Sequence, residues 1–330
     1  MGADRHGRLP RTPGLGQLTG VAVSLPRPEP LARARLLAGP EVSPSAAEAL
    51  GRAAGRPVER DGSADGGPFV YVGASLPDAL RGDGLLWFHS VNAGTDALLG
   101  AGPWHAGALL TRTVGRMGER IAQYVLAWVL AECQSVPEFA AQHARAEWCR
   151  IPSELVAGQT AVVHGTGRIG SAVAGLLRSC GIRTVGVART RRAVPPGFDA
   201  LAVADEPVAA RWVVSALPLT GATAGYFGAA RFAGMGGATF LNVGRGATVD
   251  LVALEAALHA GSVGRAVLDV LPDEPAAPGD ACWRLPRTVI TSHSAGITAD
   301  EDIVADFAAC LRELTAGRVP ALTVDTDRGY

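Results

Sequence analysis

The stretch Val162-Val163-His164-Gly165-Thr166-Gly167-Arg168-Ile169-Gly170 constrains the fold of this chain more than any other. A short apolar run at 160–163 ends in G-x-G-x-x-G, and a helix-forming segment follows. Each glycine answers a separate need. The first permits a tight turn, the second lets the backbone approach a pyrophosphate, and the third lets helix and strand pack closely. The new helix aims its positive N-terminus at the phosphates. With 42 glycines in the chain, the pattern alone is weak, and its place between strand and helix is what points to dinucleotide binding.

The end of the next predicted strand bears on which dinucleotide is held. An NAD-specific site places Asp or Glu there to accept from the ribose hydroxyls. This chain has Ala188-Arg189-Thr190-Arg191-Arg192. A carboxylate would repel a 2′-phosphate, whereas guanidinium groups hold one through bidentate hydrogen bonds. NADP(H) is therefore expected in preference to NAD(H). Gly165, Thr166, Gly167, Arg168, Ile169 and Gly170 would surround the pyrophosphate, with Arg189, Thr190 and Arg191 near the 2′-phosphate. A solvated arginine-rich turn is the competing explanation, and NAD(H) use stays open.

A chain of 330 residues exceeds what one hydrophobic core usually serves, so two domains are expected. A composition 48% hydrophobic and 18% charged suits a soluble globular protein. Basic residues number 30 against 31 acidic ones, so a nucleic-acid partner, which needs a concentrated basic excess, is not expected. Every basic residue is Arg, and the absence of Lys removes Schiff-base chemistry and lysine acid/base catalysis. Cys133, Cys149, Cys180, Cys282 and Cys310 show no C-x-x-C spacing, so no metal site is expected, and they read as thiols in a reducing compartment. Residues 1–19, rich in Arg, Gly and Pro, read as a leader without fixed structure and not as a secretory signal. The apolar run 121–130 is too short to span a bilayer. The expectation is a cytoplasmic protein with no membrane partner.

Strand candidates ahead of the glycine turn are 20–25, 69–72 and 85–88, with helices around 31–38 and 45–54. Residues 121–133, apolar nearly throughout, read as a buried helix. Further strand candidates fall at 184–187, 212–215, 239–243, 266–268 and 289–291, with helical segments such as 251–259 between most of them. That alternation predicts a doubly wound parallel sheet.

Three of these strands end in polar residues: Asn242-Val243-Gly244-Arg245-Gly246, Leu268-Asp269-Val270-Leu271-Pro272-Asp273-Glu274-Pro275, and Thr291-Ser292-His293-Ser294-Ala295-Gly296. In a doubly wound sheet the C-terminal strand ends line the ligand crevice, so the three can converge. Singly, Arg245 reads as a surface cation, Glu274 as a loop carboxylate and His293 as a structural imidazole. Together they supply an electrophile, an orienting carboxylate and a proton carrier, the set that hydride addition to a carbonyl requires.

At these residues the chain resembles the D-isomer-specific 2-hydroxyacid dehydrogenase family, and within it the glyoxylate/hydroxypyruvate reductase branch. The match is carried, in order, by HGTGRIG (164–170), SALPLTGAT (215–223), NVGRGATVD (242–250), LDVLPDEP (268–275) and TSHSAGIT (291–298). Weaker similarity lies at Asn92-Ala93-Gly94-Thr95-Asp96 and in the terminal VDTDRGY. The resemblance implies an α/β fold of two Rossmann-like doubly wound parallel-sheet domains, the cofactor domain inserted into the substrate domain. Residues 1–112 and 297–330 would form the substrate (catalytic) domain and 113–296 the dinucleotide-binding domain.

The resemblance further implies reduction of a small 2-oxo acid to the D-2-hydroxy acid, with hydride from the nicotinamide and a proton from His293. Arg245 would bind the substrate carboxylate and polarise the carbonyl. Glu274 would hydrogen-bond His293 and favour its protonated form. Asp269 would face the nicotinamide side of the cofactor, and Leu217, Pro218, Thr223 and Val243 would lie along it. The loop Asn92-Ala93-Gly94 would take the substrate, the amides of Ala93 and Gly94 cradling its carboxylate. Family members are usually dimers built through the cofactor domain, so a homodimer is implied.

Some positions depart from the family pattern. Asn92 stands where Gly is common, although Asn tolerates positive φ better than most residues. Gln123 stands where this branch often has Glu, and Trp148 and Trp283 are candidate pocket walls. A second reading keeps the chemistry but takes a phosphorylated or phosphonate 2-oxo acid of a dedicated pathway. Extra pocket cations would favour it, and Arg112 and Arg116 are the candidates. A reading of another class is a dinucleotide-sensing, peptide-binding corepressor-like protein. Against it stands the lack of a long disordered tail and of any lysine-rich surface.

Overall fold

A computed structural model of the chain describes residues 25–326, apart from 61, 63, 103, 105, 106, 205 and 207. The leader at 1–19 and, except for Leu25, the strand expected at 20–25 lie outside these residues. The chain begins with α1 (Pro28–Arg33), β1 (Arg35–Ala38), α2 (Pro44–Ala54), β2 (Val58–Glu59), β3 (Phe69–Gly73), β4 (Leu85–Ser90), α3 (Asp96–Gly100) and β5 (Leu109–Arg112). Its strands form a parallel sheet in the order β2-β1-β3-β4-β5. Helix α2 carries its own boundaries: the Ser43 side chain accepts from the Ala46 N–H, Pro44 fills the first turn, and Gly55 ends it in a left-handed conformation.

The helix predicted over 31–38 is corrected here. It stops at Arg33, and Leu36, Leu37 and Ala38 become buried strand. Arg-Ala-Arg-Leu-Leu-Ala has strong helix propensity, but pairing of Leu36 with both Val58 and Val70 outweighs a preference worth only tenths of a kcal/mol per residue, roughly.

A second set of elements follows: α4 (Met117–Cys133), α5 (Val136–Ala144), β6 (Thr160–His164), α6 (Arg168–Ser179), β7 (Arg183–Ala188), β8 (Ala200–Val203), β9 (Trp212–Ser215), α7 (Ala229–Ala233), β10 (Ala238–Asn242), α8 (Leu251–Ala260), β11 (Val263–Leu268), β12 (Thr288–Ile290) and α9 (Asp300–Thr315). The second sheet is parallel in the order β12-β11-β10-β9-β6-β7-β8. Strand order reverses between β6 and β9, and the crevice outside the C-terminal ends at such a point is where open α/β sheets bind ligands. The β8–β9 crossover, 204–211, contains no helix among its described residues, whereas such crossovers usually do. The face it leaves open holds a cavity of about 550 Å³ beside Val162, Val187, Val213 and Tyr226.

Helix α4 is not buried all round, as its apolar sequence suggested. Ile121, Ala122, Val125, Val129 and Cys133 form the inward stripe, while Gln123 is exposed and Leu130 keeps 39% of its surface. It packs on α6 at small residues: a Cβ on Gly118 would come within 3.2 Å of the Ala172 Cβ. Helix α9 returns to the first sheet. Its Ile303, Phe307, Cys310 and Leu314 join the core containing Leu36, Val70 and Trp87, and the Phe307 and Trp87 rings stack at 4.8 Å. The second sheet is thus an insertion, in sequence, between β5 and α9.

Candidate active site

The turn between β6 and α6 is built by close backbone approaches. Gly165 has φ +98°, and a Cβ there would lie 2.6 Å from the Ala216 carbonyl oxygen. A Cβ on Gly170 would lie 1.8 Å from the Gly165 carbonyl oxygen, so helix and turn could not meet with any other residue. Gly167 differs. It caps α6 with no side chain, nothing lies within 4 Å of where its Cβ would sit, and the first turn carries no acid. Open space in front of unpaired helix N–H groups fits a pyrophosphate.

At the end of β7, Arg189 and Thr190 are exposed, and Arg191 is ion-paired with Glu206. Arg192, which the sequence reading did not select, reaches back and donates to Thr166 Oγ1 in the glycine turn. After β9, Thr223 Oγ1 donates to the Pro218 carbonyl at 2.6 Å, closing the 218–223 turn. A Cβ at Gly244 would lie 2.5 Å from the Leu217 carbonyl oxygen, so the turns after β9 and β10 are pressed together. The Val243 side chain belongs to the core.

The C-terminal ends of β10, β11 and β12 bring the three polar motifs to one crevice. His293 Nδ1 lies 2.8 Å from Glu274 Oε2, and Glu274 Oε1 accepts from the Leu271 N–H at 2.7 Å. Both oxygens of the carboxylate are therefore assigned, and the imidazole presents Nε2 as its other ring nitrogen. Ser292 and His293 sit in the left-handed region at φ 54° and 55°, a conformation costing a non-glycine residue about 1–2 kcal/mol.

Asp269 holds that strained turn. Expected along the nicotinamide, its side chain is only 3% exposed and faces the loop. Its Oδ1 accepts from Thr291 Oγ1 at 2.7 Å, from the Ser294 N–H at 2.8 Å and from the Ala295 N–H at 3.0 Å. Its backbone carbonyl accepts from the His293 N–H at 2.6 Å.

Arg245 projects from the turn after β10 toward the loop after β4. Its Nε lies 3.0 and 3.2 Å from the two oxygens of Asp96, Nη2 lies 3.0 Å from Oδ1, and Nη1 donates to the Gly244 carbonyl at 2.8 Å. Burial opposes the charge of Asp96, but hydrogen bonds and charge from Arg245, with the nearby His293, hold its carboxyl below the usual range. A Cβ on Gly94 would lie 1.6 Å from Arg245 Nη2, so only glycine fits there. Arg112, at the end of β5, donates from Nη1 to the Ala93 carbonyl at 3.1 Å. Asn92 is exposed and does not take positive φ.

Asp96, Arg112 and Arg192 are thus residues at the crevice that the sequence alone does not place in the site, Arg112 entering there only as a candidate extra cation. Arg116 pairs with Glu119 on the surface, and Gln123 is exposed. Trp148, 97% exposed, walls no pocket, and the Trp283 indole N–H is taken by the Ala277 carbonyl. The five cysteines are all unpaired thiols. No helix of the described residues is long and apolar enough to cross a membrane.

A glycine turn at the switch point of a parallel sheet, facing an arginine and a carboxylate-held histidine, defines a nicotinamide-dinucleotide oxidoreductase. Residues 126–295 match the family model described as D-isomer specific 2-hydroxyacid dehydrogenase, NAD binding domain. An uncharacterized Streptomyces coelicolor protein encoded in the mprR 3′ region is 57% identical over 82% of this chain and 99% of its own length. Glyoxylate/hydroxypyruvate reductase A of Serratia proteamaculans is 30% identical over 73% of this chain and 80% of its own. A crystal structure of a D-isomer specific 2-hydroxyacid dehydrogenase from Xanthobacter autotrophicus Py2, in complex with NADPH and MES, superposes with a TM-score of 0.79. It is 28% identical and covers 90% of this chain and all of that one. The chain belongs to the D-isomer specific 2-hydroxyacid dehydrogenase family and is an NAD(P)-dependent dehydrogenase of its glyoxylate/hydroxypyruvate reductase-like branch.

Proposed function

We propose that the protein uses NADPH to reduce a small 2-oxo acid of the glyoxylate/hydroxypyruvate type to its D-2-hydroxy acid. The observation that carries this reading is the His293–Glu274 contact at 2.8 Å, beside an arginine presented by the neighbouring strand end. Glu274 accepts from Nδ1–H and so leaves Nε2 as the proton donor to the carbonyl oxygen. Arg245 binds the carboxylate end of the substrate and stabilises charge building on the carbonyl oxygen. The amides of Ala93 and Gly94 add donors without a titratable group. Reduced nicotinamide supplies the hydride when bound. Gly165–Gly170 hold the pyrophosphate, with Leu217, Pro218 and Thr223 along the dinucleotide.

NADPH is preferred over NADH in this reading because the end of β7 carries arginines and no acid, and the Xanthobacter relative binds NADPH. The substrate domain is taken as residues 1–112 and 297–330, and the cofactor domain as 113–296. Val136, Phe139, Trp148 and Leu155, from 42% to 97% exposed, support a homodimer built through the cofactor unit. Five free thiols fit a cytoplasmic location.

The test is oxidation of NADPH and of NADH, followed by absorbance, against glyoxylate, hydroxypyruvate, pyruvate, phenylpyruvate and phosphorylated or phosphonate analogues. Turnover of a short 2-oxo acid, faster with NADPH, is the expected result. Dinucleotide binding with no turnover of any acid would count against the reading.

A further inference from the structure

Resting on the reductase reading above, we propose that Arg112 is a further substrate-binding residue that joins Arg245 at the carboxylate of the 2-oxo acid and gives the cleft its uncompensated positive charge. The guanidinium of Arg245 is already committed. Nε and Nη2 engage both oxygens of Asp96, and Nη1 donates to the Gly244 carbonyl. One N–H on each Nη remains for a ligand, yet the Arg245–Asp96 pair as a whole is neutral. Such a pair can direct its remaining N–H groups to the substrate's carboxylate and carbonyl oxygens while adding little net charge attraction for an anion. His293 with Glu274 is likewise neutral or negative, whichever way the imidazole is protonated.

Arg112 is the exception. Among the described residues it has no acidic partner, and a single N–H donates to the Ala93 carbonyl at 3.1 Å. The other four donors of the guanidinium are left for solvent or a ligand. The loop backbone meets one guanidinium at each of two consecutive residues, Arg112 at Ala93 and Arg245 at Gly94. Arg112 and Arg245 therefore flank the same loop segment, close enough that each guanidinium feels the other's charge. Burial, then the charges of Arg168 and Arg245, lower the Arg112 pKa from its ordinary value. A part-buried cation beside two others and without a counter-ion is destabilising by itself, and an arriving carboxylate relieves it. Arg168 stands in the first turn of α6, where the dinucleotide phosphates are expected, which leaves Arg112 for the substrate.

The experiment compares pyruvate with pyruvamide, and glyoxylate with glyoxylamide, at saturating NADPH. In Arg112→Met, the acid-to-amide ratio of kcat/KM should fall roughly 10- to 100-fold, chiefly through KM, with partial recovery in Arg112→Lys. Equal losses on acid and amide would mean that Arg112 only supports the 92–96 loop, and would overturn the proposal. Should turnover be too slow to read, calorimetric titration of the NADPH-loaded protein with oxamate, an unreactive 2-oxo acid analogue, gives the same test. Arg112→Met should weaken oxamate at least about tenfold, and an unchanged Kd overturns the assignment. Oxamate binding through Arg112 without reduction of any 2-oxo acid would sink the reductase reading and leave the anion site standing. Reduction with an unmoved ratio would do the reverse.

Discussion

Asp96 grips Arg245 from the opposite sheet, with Nε at 3.0 and 3.2 Å from its two oxygens and Nη2 at 3.0 Å from Oδ1. One residue follows β4 and the other β10, so the ion pair spans the crevice and fixes the direction in which the guanidinium points. It also cancels that guanidinium's charge. Asp96→Asn keeps the shape and removes the charge, so its effects on aim and on attraction should separate. The expected result is a kcat about 10- to 100-fold lower, a KM for the 2-oxo acid that is unchanged or lower, and an unaltered NADPH Kd. A KM that rises while kcat holds would show that Asp96 does not aim Arg245.

Asp269 should prove to be a positioning residue and not a cofactor contact. Its carboxylate holds Thr291, Ser294 and Ala295 around the left-handed pair Ser292–His293. Asp269→Ala leaves those donors unpaired and the turn free to relax, which should cost about 1–3 kcal/mol of stability. It should also lower kcat roughly 100-fold by misplacing His293. Fluorescence titration with NADPH should show an unchanged Kd, and a Kd weakened tenfold would return Asp269 to the nicotinamide.

How much of this was legible beforehand follows from sequence separation. The glycine turn and the Arg245, Glu274 and His293 motifs could be read because each lies at the end of a strand whose apolar run is visible beside it. The Asp96–Arg245 pair joins residues 149 apart, and no local pattern reports such a contact. Arg112 and Arg192 were likewise visible as cations but not as neighbours of Ala93 and Thr166. Strands β2, β5 and β8 each carry a single β-branched residue, unlike the equally short β9 (WVVS) and β12 (TVI), and β1 lies in a helix-favouring run. The inward stripe of α4 was obscured because nearly every position on that helix is apolar, so burial of one face could not be told from burial of all.

The dinucleotide preference rests on the arginines after β7, where Arg189 is exposed and Arg191 is engaged by Glu206. Arg189→Asp places a carboxylate where a 2′-phosphate would lie. NADPH should weaken by about tenfold or more relative to NADH, since one charge-assisted contact is replaced by repulsion. Equal weakening of both cofactors, measured by kcat/KM for each, would show that the turn does not meet the 2′-phosphate.

Trp148 leaves 97% of its surface open and Leu155 83%, in the segment joining α5 to β6. Two large apolar side chains so exposed within one short segment mark it as a candidate contact surface. Light scattering behind size exclusion should give twice 33.8 kDa for the native protein. Trp148→Asp should shift it toward the monomer at low micromolar concentration. A native monomer would remove the dimer reading, and a variant still fully dimeric would place the interface elsewhere.

His89 should govern part of the acid stability. It is fully buried on β4, with Nδ1 2.7 Å from Thr111 Oγ1 and Nε2 3.1 Å from Thr113 Oγ1, and burial pushes its pKa down to about 3. The unfolded imidazole takes up a proton near its usual 6.5, which the folded one refuses. The stability contributed by neutral His89 is therefore whole above that value and is lost as the pH falls from there toward about 3. The slope it adds is at most about 1.4 kcal/mol per pH unit. Urea unfolding at intervals through that window should show stability falling with acid, and His89→Gln should flatten the curve by about that amount while lowering stability at neutral pH. His164, also pushed down to about 3 by burial, stays in both proteins and so cancels from the difference. Parallel curves for the two proteins would mean that His89 is protonated in the fold, with water or a rearranged threonine pair solvating it, and would remove it as a source of acid sensitivity.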